Sequence, residues 1–197
     1  MLLLSIYDKI KTYWNENEVN RVIEKLHQAR DFALMAHGSQ MYGDKPYIFH
    51  LDSVVLNLLL HKCTRSVDYI QGGYLHDALE DTVIYGKKVS YNDLRREFGF
   101  SERVCDLVYA VTDGKGKVRK QKKAIMYNDL HDYPDAIPLK LADTIANATN
   151  SLKEGADTLE MYVKEFPNFK KIFYKEEHGS LWCDLEEVIF KAQSINK

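Results

Sequence analysis

Apolar residues recur at steps of three and four along most of this chain. The series Val22, Leu26, Ala29, Ala33, Ala36 makes one helical face, and Leu51, Val54, Val55, Leu58, Leu59 makes a second. A third stretch opens near Ser66 and carries Val67, Ile70 and Tyr74 toward His76. Ser90 and Ser101 supply hydroxyls that can cap the free N–H groups of a first helical turn. They predict a short helix over Tyr91–Phe98, ended by Gly99, and another over Glu102–Val111. Further helical runs cover Ile125–His131, Ala136–Thr149, Thr158–Phe166 with a break at Pro167, and Leu181 to about Ala192. No segment alternates with the period of two that marks a strand bounded by hairpin turns. The pattern predicts one all-α domain over 1–197, with an accessory helix in 1–19, a motif-bearing core in 20–150 and C-terminal helices in 151–197.

Composition narrows the partners. A chain of 197 residues, 45% hydrophobic and 28% charged, is ordinary for a globular domain. The formal charge of −2 gives no overall pull toward nucleic acid or an anionic membrane, so neither is an expected partner. Phosphate contact has to come from a local patch, and Gly114–Lys123, with six basic residues in ten, could supply one. Cys63, Cys105 and Cys183 are odd in number, widely spaced and without a CxxC pair, which argues against a disulfide framework and for a reducing, cytoplasmic setting. The apolar run Leu2–Leu4 is too short to span a bilayer and wrongly flanked for a signal peptide. Homo-oligomerisation is left open.

The chemistry concentrates in Gly73-Tyr-Leu-His76-Asp77-Ala-Leu-Glu80-Asp81-Thr82. On a helix, His76 stacks with Glu80 and Asp77 with Asp81. Such a group of polar side chains at the end of an apolar helix is costly to bury without a partner, and a divalent cation is a suitable one. Two further ligands are expected from elsewhere. His50 closes Lys45-Pro46-Tyr47-Ile48-Phe49-His50, where Pro46 and the preceding Gly43 predict an extended entry into the next helix. Asp143 follows Leu141-Ala142 in an apolar helix, where a carboxylate is unexpected unless something neutralises it. Lys140, Asp143 and Asn147 form a polar stripe suited to face a site.

The ordered set His50, His76-Asp77, Asp143 resembles the H…HD…D metal signature of HD-domain phosphohydrolases. The longer run His76-Asp77-Ala-Leu-Glu80-Asp81-Thr82 is similar to the HDxxEDT form of the RelA/SpoT alarmone hydrolases and their stand-alone small relatives. The resemblance extends from about Ala29 to Asn150 and includes Ala36-His37-Gly-Ser-Gln40, Phe98-Gly99 and Leu139-Lys-Leu-Ala-Asp143. It implies an all-α HD-domain helical bundle, with Mn²⁺ or another divalent cation bound by His50, His76, Asp77 and Asp143. It also implies that Glu80 and Asp81 position or deprotonate the attacking water. Asn147 matches a nucleotide contact of the family, and Lys140 and Lys45 are the cations expected to meet substrate. Two departures fall on substrate contacts. Met41-Tyr42 stands where the family carries a basic residue, and Asn147-Ala-Thr149-Asn150 lacks the family's arginine. The activity implied is nucleotide phosphohydrolysis, first of all removal of the 3′-pyrophosphate from guanosine tetra- or pentaphosphate. A nucleotidase or deoxynucleotide triphosphohydrolase of the same superfamily is the alternative, and a non-catalytic nucleotide- or nucleic-acid-binding module is the remoter one.

Overall fold

The computed structural model describes residues 1–80, 82–113, 118–156 and 158–195. Nine α-helices carry the described chain: α1 (Leu2–Tyr13), α2 (Glu16–His37), α3 (Ile48–Leu60), α4 (Val67–Leu75), α5 (Glu102–Val111), α6 (Arg119–Asp132), α7 (Ile137–Glu154), α8 (Thr158–Phe173) and α9 (Gly179–Ile195). The architecture is all-α, as the periodicity predicts. Among the described residues, no helix is long and apolar enough to cross a membrane.

Local chemistry accounts for the helix ends. The α2 helix starts well before its apolar series because Asn15 and Glu18 cap each other. The Asn15 side chain accepts from the Asn17 and Glu18 N–H groups at 3.1 and 3.2 Å, and Glu18 takes the Asn15 N–H at 3.3 Å. Ser66 and Ser101 cap α4 and α5, accepting from Tyr69 N–H at 3.3 Å and Val104 N–H at 3.2 Å. Gly155 closes α7 in the left-handed region at φ 63°.

The fold departs from the sequence pattern in four places. The α8 helix runs through Pro167 instead of breaking there. An interior proline costs about 3 kcal/mol, and the apolar face spanning it (Leu159, Phe169, Phe173) is buried on both sides of the proline. The α6 helix opens at Arg119, inside the basic stretch, so part of that stretch is helical; residues 114–117 lie outside the described residues. The segment after Ser90 includes a π-helical turn, Asp93–Glu97. Two hairpins too short to show alternation also form, β1 (Met41–Tyr42) with β2 (Lys45–Pro46) and β3 (Val83–Ile84) with β4 (Lys87–Lys88). The second turns on Tyr85 and Gly86, both with positive φ, as a two-residue hairpin loop requires.

The α3 helix is the hub. Its Leu51, Val55 and Leu59 belong to one core cluster with Ile6, Leu26, Ile70 and Val104, while Val54 and Leu58 belong to another with Leu139, Leu141, Leu185 and Trp182. Just beyond it, His61 bonds Ser180 and Asp184 of α9 at 2.8 and 3.0 Å. Two residues apart on α3, His50 and Asp52 point to opposite sides. Asp52 receives the Arg30 guanidinium through two bonds, of 3.0 and 3.1 Å, and the Tyr74 hydroxyl at 2.9 Å. This trio ties α2, α3 and α4 together.

The α4 helix approaches α3 at Gly73. A Cβ there would lie 2.8 Å from Val55 Cγ2 and 3.0 Å from Leu58 Cδ1, closer than packed atoms tolerate. Gly73→Ala is therefore expected to lower stability by about 1–3 kcal/mol, read as a shift of the urea midpoint. An unchanged midpoint would mean that the helices separate at no cost.

Candidate metal centre and its cavities

Three helices bring the ionisable groups together. His50 comes from the first turn of α3, Asp143 from the middle of α7, and His76-Asp77 from the end of α4. The α4 helix stops at Leu75, and His76 to Glu80 continue as tight turns. Ala78 N–H bonds Leu75 C=O at 2.8 Å and Glu80 N–H bonds Asp77 C=O at 3.2 Å, both three residues apart. The expected helical stacking of His76 on Glu80 is replaced by a turn that sends the two side chains to different partners. Asp81, expected to act with Glu80, lies outside the described residues.

Donor atoms of His50, His76 and Asp143 converge, with the Asp77 carboxylate beside the two imidazoles. The two histidine Nε2 atoms are 3.2 Å apart, and Asp143 Oδ1 lies 3.4 Å from that of His50 and 3.5 Å from that of His76. Asp77 Oδ2 is 3.0 Å from His76 Nε2 and 3.7 Å from His50 Nε2. His50, His76 and Asp143 each offer an atom within 4.8 Å of the others, and all three are buried. Donors about 2.0–2.2 Å from a common centre, at tetrahedral or right angles, are separated by about 2.8–3.6 Å; the edges among His50, His76 and Asp143 fit that spacing, while Asp77 lies farther from His50, at 3.7 Å. The orientation of the His76 ring fits too. His76 Nδ1 bonds the Gly73 carbonyl at 2.9 Å, which leaves its Nε2 lone pair facing the cluster. The donor set is right for a divalent cation of borderline or harder character.

The electrostatics call for positive charge. Against burial, Asp77 and Asp143 raise the His76 pKa well above its ordinary value. Asp143 is likewise held low, against burial, by Lys140 and then by the two imidazoles. Lys140 Nζ lies 3.0 Å from Asp143 Oδ2 and 3.6 Å from Asp113. Glu80 differs from the other carboxyls. Burial and the Asp77 charge push it up to about 7, although the Asp113 N–H donates to it at 2.8 Å.

Several side chains that sequence reasoning did not single out orient this cluster. Tyr47 donates to Asp77 Oδ2 at 2.5 Å and stacks on the His37 ring with centroids 4.4 Å apart. Tyr42 donates to Asn147 Oδ1 at 2.9 Å, and Asn147 Nδ2 donates to Asp143 Oδ1 at 2.6 Å. The Asn147 carboxamide, expected to meet nucleotide, is thus engaged at both ends within the site. Tyr47 lies inside the motif ending at His50, but nothing in the sequence indicates where its hydroxyl points.

Two cavities flank the cluster. One, of about 150 Å³, has Asp143, Lys140, Arg119, Lys122 and Lys123 among its walls, and an aromatic lining that includes Tyr127 and Phe166. The other, of about 180 Å³, is lined by His50, Tyr42, Asn57, Asn150 and Lys153 among others. Lys45 lines neither; its ammonium sits 4.4 Å over the Phe49 ring.

Comparison with known proteins gives a consistent pattern. No family model matches the chain. The guanosine-3′,5′-bis(diphosphate) 3′-pyrophosphohydrolase MESH1 of Drosophila melanogaster is 29% identical over 127 residues, 62% of this chain and 67% of the relative. The Homo sapiens protein of the same name is 32% identical over 127 residues, with the same shares covered. A solved structure described as a metazoan ortholog of SpoT that hydrolyzes ppGpp superposes with a TM-score of 0.69. It covers 85% of this chain and 94% of its own at 23% identity, a likeness of fold.

Tyr47→Phe removes one hydroxyl from the ring of groups around Asp77 and leaves every donor atom in place. Loss of such an outer partner is expected to weaken divalent-cation binding by about tenfold to a hundredfold, measured by calorimetric titration. Equal affinities for the two proteins would mean that the bond to Asp77 has no part in holding the site.

Proposed function

This chain belongs to the MESH1 family of guanosine-3′,5′-bis(diphosphate) 3′-pyrophosphohydrolases, and we propose from that premise that it hydrolyses guanosine 3′-pyrophosphates, releasing pyrophosphate and GDP or GTP. The observation that carries the reading is the convergence of His50, His76 and Asp143, with the carboxyls of Asp77 and Glu80 beside them and a cation-lined cavity alongside. In this reading His50, His76, Asp77 and Asp143 hold a divalent cation, for which the family resemblance favours manganese. Bound there, such a cation supplies Lewis-acid polarisation of a phosphoryl oxygen and an acidified water.

The chain's own side chains supply the rest. Glu80, pushed up to about 7 by burial and the Asp77 charge, is suited to accept the proton of the attacking water, and the Asp113 N–H fixes one of its oxygens for that task. Water adds to the phosphorus, the bond from phosphorus to the ribose 3′ oxygen breaks, and that oxygen leaves with a proton. Lys140 offsets the charge of Asp143 and Asp113, so that an anionic substrate meets a less negative wall. Tyr42 and Asn147 orient Asp143. The reading treats 1–197 as one catalytic unit in which α1 and the helices after residue 150 buttress the motif-bearing core. The three free cysteines are in keeping with a cytoplasmic setting.

Incubation of the manganese-loaded protein with guanosine tetraphosphate, deoxynucleoside triphosphates and nucleoside monophosphates, with products separated by chromatography, tests the reading. Guanosine diphosphate and pyrophosphate are the expected products. Phosphate release from the other nucleotides alone would move the assignment to the nucleotidase alternative. His76→Ala and Asp77→Ala are expected to lose cation binding and turnover together. Glu80→Gln is expected to keep the cation and lose turnover by about a hundredfold or more; wild-type rates in that variant would give the proton transfer to another group.

A further inference from the structure

The cavity beside Asp143 contains a carboxylate that the proposed reaction does not use. Glu165, on α8, reaches across to α6, where one oxygen lies 2.9 Å from Lys123 Nζ and 3.4 Å from Arg119 Nη2. All three side chains line the cavity, as do Lys140 and Asp143. Glu165 and Lys123 are about one-third and one-quarter exposed, and Arg119 is mostly exposed.

The cations of this cavity are committed to different degrees. Lys140 is largely buried and held by the carboxylates of Asp143 and Asp113, which belong to the cluster and its edge. Lys123 and Arg119 are held by Glu165, whose side chain is about one-third exposed to solvent. A carboxylate oxygen and a phosphate oxygen make the same demand on an ammonium or guanidinium, a charge-assisted bond of ordinary length. A phosphate group carries about −1.5 to −2 charges against the single charge of Glu165. Exchange of one for the other is favourable for a phosphate and gains nothing for a neutral or singly charged group.

We propose that Glu165 is an internal competitor for a phosphate group of the nucleotide. It holds Lys123 and Arg119 in position while the cavity is free and yields them when a multiply charged anion enters. Glu165 thereby sets the affinity of the cavity and biases it toward polyphosphates. The inference rests on this cavity's being the nucleotide site of the proposed reaction.

Glu165→Gln preserves size and removes the competing charge. If the contact only braced α8 against α6, its loss would loosen the cavity and raise KM. Competition has the opposite sign: KM for guanosine tetraphosphate, and the inhibition constant for inorganic pyrophosphate, fall by about twofold to fivefold, with kcat changing far less. In a Lys123→Ala background the same substitution should have a much smaller effect. Calorimetry with inorganic pyrophosphate separates the two readings. Tighter binding by Glu165→Gln, with no guanosine tetraphosphate turnover in either protein, would keep the competitor and discard the substrate. Unchanged or weaker pyrophosphate binding, with a lowered unfolding temperature, would leave Glu165 a brace and overturn the proposal.

Discussion

Two imidazoles and a carboxylate buried at the meeting of α3, α4 and α7, with the half-buried Asp77 beside them, impose the condition that the surrounding structure satisfies. Charges in a poorly solvated setting require opposite charge or directed hydrogen bonds. Lys140 answers one oxygen of Asp143 and Asn147 the other, Tyr47 answers Asp77, and the Gly73 carbonyl takes the far nitrogen of His76. Inside this ring of contacts the donor atoms of His50, His76 and Asp143 face one another. The three helices come close enough for this because one of them carries glycine where it crosses its neighbour.

Much of this was legible in the chain itself. The apolar steps of three and four locate the helices because each buries a continuous face, and Ser66 and Ser101 mark starts because their hydroxyls do the capping. His50, His76 and Asp143 could be grouped because metal-binding residue types in apolar surroundings need a reason to be there, and they do converge. What periodicity could not resolve was local geometry. The run after Leu75 has the spacing of a helix but closes through bonds three residues apart, which separates His76 from Glu80. Pro167 looked like a stop because sequence carries the cost of the missing N–H but not the burial of Phe169 and Phe173 that outweighs it.

The contacts around the cluster were less legible still. Tyr42 and Tyr47 are two of thirteen tyrosines, and only the fold distinguishes a hydroxyl bonded to a site carboxamide or carboxylate from one facing water. Asn147 illustrates the converse. Its position in a polar stripe suggests contact with a ligand, yet its amide joins Tyr42 to Asp143. Lys45 is the cation nearest in sequence to Met41-Tyr42, where the family carries a basic residue, whereas only the fold shows that Arg119, Lys122 and Lys123 line a cavity together with Lys140.

The trio of Arg30, Asp52 and Tyr74 has a mechanical meaning for the site on the other side of α3. A helix packed only through aliphatic side chains can slip in register and still bury similar area. One residue of slip turns a helix by about 100°, which here would tear Asp52 from three directed bonds. Those bonds act as a detent on the helix axis, and the bearing of the His50 ring is fixed by a contact that never touches it. Sequence drift in the hairpins can reshape the rim of such a site, while its centre stays indexed to the scaffold.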